Sequence, residues 1–374
     1  YDHDGSATPS DSFDFTVDDG AGTTTSSSFN WTISNVNDAP VTSAIEPSPI
    51  AYVENGVPLT ITSTLTLSDV DDTNLESAFV RITGNYSAGE DVLAMVDQFG
   101  ISGSWDAGTG TLTLSGSATV AEYQNVMRSI SYENTSDDPS TLTRTVSFTV
   151  NDGDVNSNTQ TRDITVSSIN DDPSATGLPS DVTVSEDVLG NVDLSSINLV
   201  DLDENGGNLT LRLSTSTGGN LTATAGAGVS VSGSGTGGLT LTGTLSDLNS
   251  FLDNPAALQY LHGSPNTFGN DADTISVVIN DGGNTGAGGG SDRSLGVVNV
   301  DIAGVNDSPT LTNNTGVTVS EGATGAAITS SMLDSADVDD TASGLSYTLT
   351  AEADHGTLTL SGFGTLSQGC LLYT

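Results

Sequence analysis

Val146-Ser147-Phe148-Thr149-Val150-Asn151-Asp152-Gly153 is followed by Asp163-Ile164-Thr165-Val166 and then by Ile169-Asn170-Asp171-Asp172-Pro173. Apolar and polar residues alternate in both runs, the period of a strand with one buried face. The Asn-Asp-Gly break supplies turn residues, and the acidic segment closed by proline ends the second run. The stretch therefore reads as an antiparallel hairpin leading into a linker.

Working outward, the same pattern recurs twice. Phe13-Asp14-Phe15-Thr16-Val17-Asp18-Asp19-Gly20 precedes Val36-Asn37-Asp38-Ala39-Pro40, and residues 275–282 precede Val305-Asn306-Asp307-Ser308-Pro309. The linker asparagines, Asn37, Asn170 and Asn306, stand 133 and 136 residues apart. Repetition at a fixed interval identifies an array of similar units. Downstream of each linker comes a lone Glu in an extended run, Glu54, Glu186 and Glu321, and then an Asp-x-Asp turn: Asp69-Val70-Asp71, Asp201-Leu202-Asp203 and Asp337-Val338-Asp339. The expected domains are the end of one repeat at 1–38, complete repeats at 39–171 and 172–307, and the start of another at 308–374.

The chain is expected to be all-β. Apolar spacing of three and four residues permits one short helix per repeat, at 120–130 and 245–258. Glycine-rich stretches at 226–238 and 282–290 read as long exposed hairpin loops.

Of the 374 residues, 48 are acidic, 38 Asp against 10 Glu, and six are basic, all Arg; the net charge is −42. An Asp-dominated excess points to turns and hard-cation coordination rather than acidic helices. So few cations exclude binding to a phosphate backbone. Cys370 is the only cysteine, so no intrachain disulfide staples the fold. No apolar run is long enough to span a membrane, and Tyr1 as first residue is expected of a processed or excised piece.

Calcium takes six to eight oxygen ligands, drawn from carboxylates, amides and backbone carbonyls on separate loops. Three sets supply them at fixed phase. The first contains Asn37, Asp38, Asp69, Asp71 and Asp152. The second contains Glu54, Asn170, Asp171, Asp201, Asp203 and Asp281, with Asp137 or Asp138 as a further candidate. The third contains Glu186, Asn306, Asp307, Asp337 and Asp339. Crowded carboxylates repel one another without metal and become ligands with it.

The order and spacing of these landmarks resemble cadherin repeats and the cadherin-like repeats of large bacterial adhesins of the RTX type. Here Glu54 and Asp69 follow Asp38 by 16 and 31 residues, Glu186 and Asp201 follow Asp171 by 15 and 30, and Glu321 and Asp337 follow Asp307 by 14 and 30. The resemblance implies tandem seven-stranded Greek-key β-sandwiches with calcium clamped at each linker. These repeats are longer than a typical cadherin domain, and the linkers lack the family's second Asn after Asp.

Other motifs read as structure. Asp201-Leu202-Asp203-Glu204-Asn205-Gly206 opens like an EF-hand loop, but its twelfth position is Arg212 and no helices flank it. Gly233-Ser234-Gly235-Thr236-Gly237-Gly238 fits a dinucleotide fingerprint by letter but lacks the following helix. His3, His262 and His355 are isolated, and Trp31 and Trp105 are expected in packing. Sequons begin at Asn30, Asn85, Asn134, Asn208, Asn220 and Asn313.

The expected function is non-catalytic: a secreted or cell-surface stalk or fibre, stiffened by calcium and used in adhesion. Its partners are neighbouring repeats, further copies of itself joined by strand addition, or a glycan or protein receptor; a glycan- or protein-binding module is the alternative.

Overall fold

The alternating run Val146–Val150 lies in a strand with Val146, Phe148 and Val150 fully buried and the residues between them turned outward. It belongs to a computed structural model that describes residues 1–4, 8–34 and 36–373. Residues 5–7, 35 and 374, which fall in the expected terminal segments, lie outside the described residues. Two compact units form, one of Tyr1–Asp171, Leu202–Asn205 and Gly283–Gly290, the other of Asp172–Asp201, Gly206–Gly282 and Ser291–Thr374.

The first unit begins with a hairpin, β1 (Ser10–Asp18) and β2 (Thr24–Thr32). There follow β3 (Val41–Ser43), β4 (Ile50–Val53), β5 (Leu59–Thr60), β6 (Thr66–Ser68), β7 (Asn74–Gly84), β8 (Asp91–Ala94), β9 (Ser102–Asp106), β10 (Thr111–Thr119), α1 (Val120–Met127), β11 (Ser131–Asn134), β12 (Arg144–Asn151) and β13 (Gln160–Ser167). A six-stranded sheet in the order β4-β13-β12-β7-β10-β9 faces a three-stranded sheet, β5-β11-β8. Their inner faces, with Val80, Ile82, Leu93, Leu114, Tyr132 and Phe148 among them, form one apolar core. Each such side chain fully buried is worth roughly 1.5–3 kcal/mol.

The second unit repeats the plan with β14 (Ser174–Thr176), β15 (Asp181–Ser185), β16 (Gly190–Asn191), β17 (Asn198–Val200), β18 (Asn208–Thr215), β19 (Gly219–Ala223), β20 (Ser230–Ser232), β21 (Gly238–Thr244), α2 (Leu245–Leu252), β22 (Leu258–His262), β23 (Gly269–Asn280) and β24 (Arg293–Ala303). Its sheets run β15-β24-β23-β18-β21-β20 and β16-β22-β19. The architecture is an all-β tandem of Greek-key sandwiches. Beyond it lie β25 (Thr310–Asn314), paired with β26 (Leu333–Ala336), and two further short antiparallel pairs.

Both helices continue directly from a strand. Thr119 caps α1 by accepting from the Glu122 N–H while Glu122 reaches back to the Thr119 N–H, and Thr244 caps α2 through the Asp247 N–H. Tyr123, Val126 and Met127, and in α2 Leu248, Phe251 and Leu252, are buried. One loop expectation needs correcting. Within 226–238, Ser230–Ser232 pairs with β21 as an edge strand and Val229 is buried beside it, because a strand next to an open edge gains backbone hydrogen bonds.

The first strand of each six-stranded sheet runs parallel to the last. β4 pairs with β13 from Ile50–Ile164 to Val53–Ser167, and β15 pairs with β24 from Asp181–Asn299 to Ser185–Ala303. The chain therefore enters and leaves with Glu54 beside the strand that runs into 168–172, and with Glu186 beside the strand that runs into 304–308.

Each core also holds one carboxylate at the same place, reached from opposite strands. In the first sandwich Asp91 on β8 is 1% exposed and pairs with Arg144 on β12, 0% exposed, at 3.1 Å. Asp91 also accepts from the Tyr132 hydroxyl at 2.6 Å, Asn134 Nδ2 at 2.7 Å and the Ser87 N–H at 2.8 Å. The Asn134 sequon is thus buried and committed. In the second sandwich the sequence position of Arg144 is taken by Asp273, two residues before the alternating run, while Gly219 stands where Asp91 would be. Asp273, 1% exposed, accepts from the Tyr260 hydroxyl at 2.8 Å and from the N–H groups of Ser216, Thr217 and Gly219 at 3.0, 2.8 and 3.1 Å. A Cβ on Gly219 would fall 2.0 Å from the Tyr260 ring. Donors here replace the guanidinium.

Burial opposes ionisation of Asp273, but the hydrogen bonds from Ser216, Tyr260, Thr274 and Thr217 outweigh it and hold its pKa well below the usual carboxylate value. Its stabilising effect is complete above the unfolded value of about 3.9 and is lost as pH falls toward the lower folded value. Tyr260→Phe, which removes one donor from a buried charge, is expected to lower the stability of the second sandwich by about 1–3 kcal/mol and to move its acid unfolding to higher pH. Arg144→Met leaves Asp91 without its counter-charge and should cost the first sandwich about 3–5 kcal/mol. Chemical denaturation curves that match the wild type would contradict both expectations.

Candidate metal centres

Three hydrogen-bonding devices recur at the linkers, and together they gather the acidic side chains. The first is local to the Asp-x-Asp turn. Asp69 Oδ1 accepts from the N–H groups of Asp71 and Asp72 at 3.1 and 3.0 Å, and Asp337 Oδ1 from those of Asp339 and Asp340 at 2.9 and 3.1 Å. One carboxylate oxygen caps its own turn, as Asp side chains readily do.

The second device ties the turn to the linker. The N–H of Asp38 donates to Asp71 at 3.2 Å, that of Asp171 to Asp203 at 3.2 Å, and that of Asp307 to Asp339 at 2.6 Å. The linker asparagines act in parallel: Nδ2 of Asn37, Asn170 and Asn306 donates to the carbonyl of the following Asp at 3.2, 2.9 and 2.8 Å. Each amide's donor end is committed to the backbone, so its carbonyl end is the one a cation would use.

The third device depends on the parallel strands. Glu54 N–H donates to Ser167 O and Glu54 Oε2 accepts from the Ile169 N–H at 2.8 Å; Glu186 N–H donates to Ala303 O and Glu186 Oε1 accepts from the Val305 N–H at 2.6 Å. Both glutamates are 2% exposed. The residue after each, Asn55 and Asp187, has positive φ, as has Gly322 after Glu321. That turn reverses the chain and leaves the carboxylate facing the linker.

Among the described residues, four carboxylate clusters have ligand oxygens within 4.8 Å of one another: three at the linkers and their turns, Glu54 with Asp137 and Asp171, Asp69 with Asp71 and Asp72, and Glu186 with Asp307 and Asp339, and a fourth away from them, Asp181 with Asp271 and Asp301 on β15, β23 and β24. Burial, then the charges of Asp171, Asp203 and Asp137, raise the Glu54 pKa against the opposing Ile169 hydrogen bond. Burial, then Asp187, Asp339 and Asp337, raise that of Asp307. Asp72 is raised by burial and by Asp69, Asp71, Asp152 and Asp154. Among the described residues, Glu186 Oε2, Asp307 Oδ2 and Asp69 Oδ2 are buried atoms with no hydrogen-bond partner. A buried carboxylate oxygen without a donor is costly, and a hard cation is the group these oxygens fit.

Not every candidate joins a cluster. Asp152 Oδ2 accepts from Asn37 Nδ2 at 2.9 Å, and its Oδ1 accepts from the N–H groups of Asp154 and Val155. These bonds outweigh its burial and lower its pKa. Asp201 and Asp281, both buried, lie in the second unit directly after β17 and β23. Asp138 pairs with Asn205 Nδ2 at 3.1 Å rather than joining Glu54. Asp187, which bears on Asp307, was not anticipated; the recurring Glu54-Asn55 and Glu186-Asp187 pairs carried the signal.

Comparison with protein families and with curated proteins found no match. Among solved structures, the chain is similar to the extracellular domain of protocadherin gamma B4 (13% identity, covering 97% of this chain and 51% of that one, TM-score 0.31). It is also similar to protocadherin gamma B2 extracellular cadherin domains 1–5 (15% identity, 98% and 59%, TM-score 0.35) and to the protocadherin gamma B7 EC3–6 cis-dimer structure (12% identity, 98% and 76%, TM-score 0.34). The chain thus spans about half the length of the protocadherin gamma B4 chain. At these identities and TM-scores the fold rests on the strand order described above.

Proposed function

We propose that this chain is a run of extracellular, non-catalytic repeats, complete at 39–171 and 172–307, whose linkers bind calcium and are stiffened by it for a structural role in adhesion. The observation that carries the reading is the set of buried, partnerless carboxylate oxygens on Glu186, Asp307 and Asp69, each beside other acidic side chains. Bound calcium supplies the positive charge that such a cluster lacks. The chain's own groups do the positioning: parallel strands deliver the glutamates, Asp-x-Asp turns clasp the linker backbone, and linker asparagines lock their own amide nitrogens. The protein's ligands would be Asn37, Asp38, Asp69 and Asp71; Glu54, Asp137, Asn170, Asp171 and Asp203; and Glu186, Asn306, Asp307, Asp337 and Asp339.

The partner most directly supported is another repeat of this kind. In the β1–β2 hairpin, Phe13, Val17 and Phe29 are about half exposed, Tyr1 stacks on Trp31 at 4.6 Å and Phe13 on Phe29 at 5.7 Å. The hairpin matches β12–β13 in sequence, and in the complete repeat that pair is flanked by β7 and β4. Residues 308–374 of a second copy, which match the early strands of a repeat, are the proposed complement, giving head-to-tail strand addition.

Calcium at one hundred times its Kd is expected to stabilise a linked unit by about 2.7 kcal/mol per site. Chelation should therefore lower the melting temperature and enlarge the radius of gyration; calorimetry and solution scattering unchanged by chelator would overturn the proposal. Glu186→Gln should weaken binding at its centre on the order of tenfold or more, since affinity follows ligand charge. It should also relieve repulsion in the metal-free chain, leaving the chelated variant at least as stable as the chelated wild type. Deleting residues 1–38 should abolish concentration-dependent assembly in light scattering while both sandwiches stay folded; assembly that survives the deletion rules out strand addition.

A further inference from the structure

The 282–290 stretch is not the free hairpin loop its glycines suggest. The β23–β24 connection, residues 281–292, is four residues longer than its counterpart at 152–159. Its segment Gly283–Gly290 is part of the first unit. Ala287 forms a parallel bridge with Ile169: its N–H donates to Ser168 O at 3.0 Å, and its carbonyl accepts from the Asn170 N–H at 3.3 Å. The Thr285 hydroxyl donates to the Asp203 carboxylate at 2.6 Å and contacts the Asp203 carbonyl.

Two of the glycines are required by close approach. Gly286 and Gly289 have φ of +75° and +73°; a Cβ on Gly286 would lie 2.6 Å from the Ile169 carbonyl carbon, and one on Gly289 would lie 2.2 Å from Asn170 Nδ2. On its other side, the turn bearing Asp203 is held by Asn205 Nδ2 donating to Asp138, the neighbour of Asp137. Asp203 in turn accepts from the Asp171 N–H. Asp339, its counterpart at the Glu186 centre, accepts from the Asp307 N–H, and the sequence position of Asp137 is taken there by Pro265.

We propose that the 283–290 loop is a positioning element for the Glu54/Asp137/Asp171 centre. Thr285 fixes the Asp203 carboxylate and Ala287 fixes the Asn170 backbone, so the centre is assembled before a cation arrives. This rests on the calcium reading above.

The test is a calcium titration of the full chain, followed by the backbone amide resonances of Asp171 and Asp307, which report the two centres separately. Thr285→Ala and Gly286→Ala should each weaken binding at Asp171 by roughly 10- to 100-fold, the range for lost outer-shell support of a metal ligand, and leave Asp307 unchanged. Thr285→Ser, which keeps the hydroxyl, should restore wild-type affinity. Core resonances of Val146 and Phe148 should stay fixed in every variant, separating positioning from unfolding. If both amides respond to calcium but neither Thr285→Ala nor Gly286→Ala alters the Asp171 titration, the loop's role is overturned and the calcium reading stands. If neither amide responds, both are overturned.

Discussion

The parallel pairing of the first long strand with the last governs everything else in each sandwich. An antiparallel pairing at that edge would carry Glu54 and Glu186 to the far end, away from the linkers. Parallel register instead ends β4 at Val53–Ser167 and β15 at Ser185–Ala303, one residue before a buried glutamate and three before the linker Asn-Asp. The hydrogen bonds from Ile169 and Val305 then hold each carboxylate against the departing chain. Sheet topology, rather than any local motif, thus brings carboxylate oxygens of residues more than 100 apart in sequence within 4.8 Å of one another.

The buried carboxylates divide by what satisfies them. Asp91 and Asp273 are enclosed by donors, with Arg144 in one case and hydroxyl and backbone N–H groups in the other. They serve the fold, because a buried charge that is fully hydrogen-bonded fixes its surroundings. Glu186, Asp307 and Asp69 each retain a buried oxygen with no such partner, and their neighbours are further carboxylates. Folding alone gives no reason to place these oxygens so. The two sandwiches also show that the structural role is transferable: the carboxylate moves from β8 to β23 as the facing residue shrinks to Gly219, and the tyrosine donor stays in place.

Net charge acquires meaning from this division. At −42 the chain repels itself, and at the linkers that repulsion falls on clusters already gathered by backbone hydrogen bonds. The Asp-x-Asp clasp on the linker N–H, repeated at Asp38, Asp171 and Asp307, keeps like charges close at a cost that grows as each becomes drier. Raised carboxyl pKa values at Glu54, Asp72 and Asp307 are the sign of that cost.

Sequence by itself determined the strands, the repeat interval and most of the acidic sets, because alternation and turn chemistry act between near neighbours. The two helices were legible for the same reason, through their apolar spacing of three and four residues. Tertiary structure decided what crosses between segments. It separated Asp137, which joins Glu54, from Asp138, which pairs with Asn205. It turned the 283–290 glycines from an apparent free loop into a backbone clasp on Ile169 and Asn170, and exchanged Arg144 for Asp273 around a shared tyrosine. Such choices depend on which backbones approach within hydrogen-bond reach, and that distance is set by sheet register and packing rather than by neighbours along the chain.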